Sequence, residues 1–234
     1  MTDPASSLTR RQKVEEREQA ILDAALSVFV EHGYRGARIA EIARRAGIAE
    51  GTIYIYYKTK VDLMNAIVAR FWTDLTIDAR DAVRGKDDTF EALRALAHFH
   101  ITALIERIDV IELTQTLRTV KPSREDVRQY MRSYVAVFDD LFSRGQDRGL
   151  LQADAILWMA RDVFYGTLEY SARTVLLNAK RDLDSVVENM VYVFLSTYGT
   201  PAVHIGSDQL PGGDVTDRLE RAVAKVEQLL KDRE

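Results

Sequence analysis

The chain has 234 residues, enough for one or two domains with buried cores, and no cysteine, which removes disulfide staples and thiolate metal sites. Its net charge of −4 argues against indiscriminate adhesion to nucleic acid, so the placement of charge carries more than its sum. No apolar run approaches the roughly eighteen residues of a membrane span, and the first residues lack the basic-then-apolar order of a secretion signal, so a cytoplasmic chain with no membrane partner is expected.

Apolar residues recur at helical spacing throughout, and no alternating strand pattern persists, so the fold class is all-α. Ile21, Leu22, Ala25, Val28 and Phe29 mark a first helix over 14–32, stopped by Gly33. Short helices are expected over 38–45 and 49–56, and Thr59 caps a long fourth helix from Lys60 to about residue 80. A break at Gly85-Lys86-Asp87-Asp88, with Thr89 as cap, precedes an apolar helix from Phe90 to Ile108. Asp109 to Val120 forms a short helix ended by Lys121-Pro122, because proline disfavours helical geometry in the residue before it. Ser123 caps an amphipathic helix over 123–147 that ends at Gly149, and two apolar helices follow over 152–178 and 183–198. After a turn-rich linker, Leu219, Val223, Val226 and Leu230 repeat at spacings of four, three and four in a tail helix to which no role is assigned. The domains are thus 1–60, 61–199, and a linker and tail over 200–234.

Residues 37–60 describe a helix-turn-helix. Ala43 is small where two helices approach, Gly47 stands where the chain turns sharply, and Ile48 and Ile53 close the angle. Thr52, Tyr54 and Tyr56 are left facing outward, where a recognition helix meets bases and phosphates, while Ile53 and Tyr57 face inward. Ten basic residues against seven acidic ones between positions 8 and 60 make this the positive end of an acidic chain. The chain therefore reads as a regulator that binds double-stranded DNA.

The ordered set Ile21-Leu22-Asp23-Ala24-Ala25, Phe29, Gly33-Tyr34, Ile39, Ile42-Ala43, Ala46-Gly47-Ile48 and Gly51-Thr52-Ile53-Tyr54-Ile55-Tyr56-Tyr57, then Lys60 and Leu63, closely resembles the N-terminal domain of TetR-family repressors. The resemblance implies a homodimeric repressor released from a palindromic operator by a ligand. It puts Tyr54 and Lys60 on the phosphate backbone, Thr52 and Tyr56 nearby, and Gly51 where the backbone comes close to DNA. Members usually carry Ser or Thr where this chain has Arg38 and Ala49. Arg38 can replace a phosphate contact with a charge, whereas Ala49 leaves the third helix without a side-chain cap. One of Arg44 and Arg45 is expected to face the groove.

In the second domain, Phe99, Leu104, Ile108, Leu113, Leu117, Phe138, Phe142, Phe164, Tyr165 and Leu168 supply apolar lining, although plain core accounts for at least half of such positions. Arg124, Arg128 and Arg132 lie four apart on one helical stripe, with Arg118 just before it. Apolar helices beside a basic stripe suit a small hydrophobic effector with a phosphorylated head, best met by a long-chain fatty acyl-CoA. The stretches 113–118 and 164–169 resemble FadR-type TetR regulators, which respond to such ligands, and a drug-responsive efflux regulator is the alternative. By the same resemblance the last two helices form a dimer seam, with Gly166, Tyr170, Arg173, Val187, Val191 and Phe194 as its candidates.

An all-α enzyme is the rival from another class. His98 and His100 are two apart and fall on different helix faces, and no phosphate-cradling glycine loop or nucleophile elbow occurs, so no catalytic constellation, cofactor or metal is expected. A scaffold that has lost DNA binding is a third class, opposed by the intact Thr52, Tyr54 and Lys60.

Overall fold

The computed structural model describes residues 9–117, 124–177 and 182–201, with side chains omitted at 112, 114–117 and 124–128. The described residues form nine helices: α1 (Arg10–Gly36), α2 (Ile39–Arg45), α3 (Glu50–Tyr56), α4 (Lys60–Val83), α5 (Thr89–Glu106), α6 (Ile108–Leu117), α7 (Arg124–Asp147), α8 (Leu157–Leu177) and α9 (Leu183–Tyr198). Extended pairing is confined, among the described residues, to one bridge between Leu151 and Gly199.

Local chemistry accounts for the helix ends. Thr9 and Gln12 form a reciprocal capping box, so α1 starts four residues earlier than its apolar pattern. Gly33, at φ 67°, kinks the same helix where a side chain would be strained. Thr59 and Asp62 make a second capping box that launches α4 as expected. Asp88 rather than Thr89 caps α5: its carboxylate accepts from the Glu91 amide at 2.7 Å, while Thr89 turns into the core. The start of α8 falls at Leu157 instead of 152 because residues 150–152 are held elsewhere. Gln152 donates its backbone amide to the Tyr198 carbonyl at 2.8 Å and its side chain to that of Thr197, stitching the entry of α8 to the end of α9. The linker end and tail helix lie outside the described residues.

Two apolar cores result. Ile21, Ala25, Val28 and Phe29 of α1 pack with Ile42, Ala43, Ile53 and Tyr57 around the first half of α4. The second core joins Leu75 and Ala79 of α4 to α5, α7, α8 and α9. Its centre is aromatic: Phe138, Phe142, Phe164 and Phe194 are fully buried, with neighbouring ring centroids 4.8–6.2 Å apart. Helix α4 thus runs through both cores, and Trp72 packs against each of them.

Candidate nucleic-acid interface and effector core

The reading head is built on α2 and α3. The turn between them closes when the Ile48 amide donates to the Ala43 carbonyl at 3.0 Å, with Gly47 at φ 68°. Ile42, Ala43 and Ile53 are buried beneath it, which fixes the outward face by exclusion. Gly51 is exposed, Tyr54 is 43% exposed and Thr52 and Tyr56 are half-buried. Tyr57 faces inward, as its position on the helix requires, and its hydroxyl donates to Glu18 of α1 at 2.9 Å. Burial and the Glu18 carboxylate push that phenol well above its ordinary range. Neither Arg38 nor Ala49 makes a side-chain cap.

Among the expected DNA contacts, the structure turns Lys60 inward. Its ammonium donates to the Ala37 carbonyl at 2.5 Å and lies 4.8 Å from the Tyr34 ring centroid, and burial lowers its pKa. A cation held by a carbonyl and a π-face braces the loop ahead of α2 and is not free for a phosphate.

The two neighbouring arginines divide their roles. Arg45 reaches across to α1, donating to Ser27 at 2.9 Å and Glu31 at 2.6 Å, and also to Glu41 at 2.8 Å. Among the described residues Arg44 pairs only with Glu41, and its side chain is 71% exposed. The two guanidiniums hold the Glu41 carboxyl down to about 2 through hydrogen bonds first and charge second. The carboxylate's contribution is therefore complete above pH 4.5 and fades as pH falls towards 2; being exposed, it is small and screened by salt. Arg45→Ala should lower the melting temperature of the reading head, whereas Arg44→Ala should leave it unchanged and weaken DNA binding. Paired thermal melts and DNA titrations separate the two.

Ile55 was not singled out from the sequence, yet it is 74% exposed on α3, the most solvent-open large apolar residue of the head. A helical wheel of residues 50–56 would have found it, since Ile53 and Tyr57 take the inward positions and leave Ile55 opposite them.

In the second domain the expected lining residues separate. Phe99 lines an open groove of about 350 Å³ between α4 and α5, with Ala82, His98, Thr102, Glu106 and Arg107. Leu104 packs partly buried against the core, and Ile108 is half-buried. Phe138, Phe142, Phe164 and Leu168 have no exposure at all and pack as core. Leu113 leaves the ligand domain altogether: α6 packs along α1, and Leu113 joins the first core beside the reading head. Arg124 and Arg128 begin α7 four residues apart with Arg132, which is exposed, on the same face. Arg118 and the side chains of Leu117, Arg124 and Arg128 lie outside the described residues.

Sequence reasoning also missed a polar cluster inside this domain. His100 is buried on the inward face of α5, and its Nδ1 lies 2.6 Å from the Tyr134 hydroxyl. Burial pushes the imidazole down to about 3, so it is neutral at physiological pH, and raises the Tyr134 phenol. Apolar neighbours at 93, 96, 97 and 101 were the available signal, because they put position 100 on the buried side.

A separate face concerns assembly. From Ile156, just ahead of α8, through Met159, Val163, Gly166, Tyr170 and Leu177 of that helix, residues follow spacings of three, four, three, four and seven, and all are exposed, Tyr170 at 77% and Leu177 at 90%. Arg173 lies on the same stripe and is also exposed. On α9 the exposed apolar residues are Tyr192 and Val193, whereas Val187, Val191 and Phe194 are buried within their own subunit. The inner face of α9 is taken up by α5 and α8, through contacts that include Arg94 to Glu188 at 2.7 Å, so its outer apolar pair lies one residue off the expected register.

Residues 21–67 match the model of the bacterial regulatory proteins of the tetR family, and residues 72–197 match that of the YsiA-like protein C-terminal region. The chain is 24% identical over 181 residues to the fatty acid metabolism regulator protein of Bacillus subtilis, covering 75% of this chain and 92% of that protein. It is 37% identical to the transcriptional activator FasR of Mycolicibacterium smegmatis over 81 residues, 35% of this chain and 37% of that one. The crystal structure of the regulator FadR from B. subtilis in complex with stearoyl-CoA superposes with a TM-score of 0.66 at 25% identity, covering 76% of this chain and 97% of that chain. No described helix is long and apolar enough to cross a membrane. These matches span the helix-turn-helix head and the second core alike, and the chain belongs to the TetR family of DNA-binding transcriptional regulators rather than to any class of enzyme.

Proposed function

We propose that the protein is a cytoplasmic, homodimeric repressor that grips an imperfectly palindromic operator and releases it when a long-chain fatty acyl-CoA occupies the second domain. The likeness across both domains to a regulator solved with stearoyl-CoA carries this reading. The apolar interior of α5, α7, α8 and α9 supports a chain-shaped hydrophobic ligand, and the basic stripe at Arg124, Arg128 and Arg132 suits a phosphorylated head. Arg38, Arg44, Gly51, Thr52, Tyr54 and Tyr56 are the DNA contacts in this reading, with Ile55 in the last turn of the recognition helix added. The α8 stripe, with Gly166, Tyr170 and Arg173, and the outer face of α9 form the seam between subunits. Two heads joined there would read half-sites about one helical turn apart.

Fluorescence anisotropy on DNA flanking the protein's own gene tests the reading. Release by palmitoyl-CoA, with free CoA inert, is the expected result; tight binding indifferent to acyl-CoA would redirect the search to drug-like effectors. Tyr54→Ala should weaken operator binding about tenfold, the loss of roughly one charge-assisted hydrogen bond, with dimerisation and ligand affinity unchanged. Unaltered operator affinity in that variant would overturn the assigned reading face.

A further inference from the structure

Among the described residues of the second domain, six buried side-chain polar atoms have no partner: Asn65 Oδ1, Arg70 Nη1, Thr102 Oγ1 and a group of three donors, Trp72 Nε1, His100 Nε2 and the Tyr165 hydroxyl. All three are carried on rings that touch Tyr134, whose centroid lies 5.6 Å from Trp72, 5.8 Å from His100 and 5.6 Å from Tyr165. His100 and Tyr165 also touch each other at 4.7 Å. Tyr134 has no acceptor but His100 Nδ1 among the described residues, so its hydroxyl donates there and the imidazole proton is assigned to Nε2. The groups are therefore of one kind. Each is an N–H or O–H donor, and none is an acceptor only.

Buried polar atoms are almost always paired, and a donor left alone costs as much as the hydrogen bond it forgoes. Three such donors around one ring, in a core otherwise filled by aliphatic and phenylalanine side chains, describe a place that calls for an oxygen with free lone pairs. An alkyl chain cannot meet that demand, and a charged carboxylate would be penalised by the surrounding apolar rings. A neutral carbonyl meets it at little cost. We propose that Trp72, His100 and Tyr165 form a carbonyl-binding subsite that receives the thioester oxygen of the effector, so that the protein distinguishes an acyl-CoA from a ligand with the same chain and no carbonyl. This rests on the acyl-CoA reading given above.

The test compares palmitoyl-CoA with S-hexadecyl-CoA, the thioether in which a methylene replaces the carbonyl, by calorimetric titration of the full-length protein. The wild-type protein is expected to bind the thioester at least about tenfold more tightly. Tyr165→Phe and Trp72→Phe should each bring that ratio towards one by weakening the thioester alone. Tyr165→Phe should also fold at least as stably as the wild type, since it deletes an unpaired hydroxyl and keeps the ring. Equal affinity of the two ligands for the wild type would overturn the subsite and leave the acyl-CoA reading intact. A variant that loses thermal stability with its ratio unchanged would mark the hydroxyl as structural and also overturn it. Binding of neither ligand would overturn the acyl-CoA reading and the subsite with it.

Discussion

With α8 as the proposed seam between subunits, Tyr170→Glu is expected to yield a folded monomer that binds operator on the order of 10²–10⁴-fold more weakly than the wild type. Tyr170 is 77% exposed within its subunit, so a carboxylate there costs the isolated chain almost nothing. In a two-fold seam the same change occurs twice, and each charge is buried without a partner, which costs several kcal/mol. Losing the seam removes the tethering that makes the second half-site contact intramolecular, and that sets the expected range. Sedimentation velocity checks the assembly state, circular dichroism the fold, and anisotropy the affinity. Gly166→Leu provides a companion from the opposite direction. Nothing lies within 4 Å of a β-carbon built at Gly166, and leucine is a better helix former than glycine, so this variant should stabilise the isolated subunit by roughly 1 kcal/mol while failing to dimerise. A stable dimer in both variants would move the seam away from α8.

Leu113→Ala is expected to cost about 2–5 kcal/mol and to blunt the response to effector more than it weakens DNA binding. Leu113 is 6% exposed in the first core, while the rest of α6 packs against α1 and α5. Leu113 is a contact between α6 and the core of the reading head, and deleting three carbons there leaves a cavity between the helix that follows α5 and the helix that carries the head. Coupling between sites is typically worth 1–3 kcal/mol, so a loosened joint of this kind can absorb most of it. Operator affinity measured with and without palmitoyl-CoA should differ less in the variant than in the wild type. An unchanged ratio would show that coupling travels by α4 alone.

Both predictions depend on features that the sequence revealed unequally. Helical spacing and caps located the helices, because Thr59, Gly33, Gly47 and Gly149 act on their immediate neighbours and need no tertiary context. The inward and outward faces of α3 were legible for the same reason, since seven residues leave few ways to bury Ile53 and Tyr57. Periodicity failed wherever a helix has two apolar faces. Helix α9 carries Val187, Val191 and Phe194 inside and Tyr192 and Val193 outside, and spacing alone does not say which set meets its own subunit. Leu113 was misread because its partners lie some eighty residues earlier in the chain. Lys60 and Arg45 look like free cations until the carbonyl and carboxylates that hold them are in view. The donor cluster was hidden for a related reason: four separate helices contribute one ring each.

Helix α4 has a mechanical consequence beyond its place in two cores. Its 24 residues make a shaft about 36 Å long. One end is seated among Leu63, Met64, Ile67 and Val68 and the other among Leu75 and Ala79, with Trp72 packed against both cores between them. A close-packed interior does not compress, so a tilt of a few degrees imposed at the far end displaces the near end by about 2–3 Å. In the proposed dimer, doubling across the two-fold axis brings that sweep to about 5 Å, more than the rise of one base pair, and a lever of this length would turn a small rearrangement of side chains into a loss of register with the major groove.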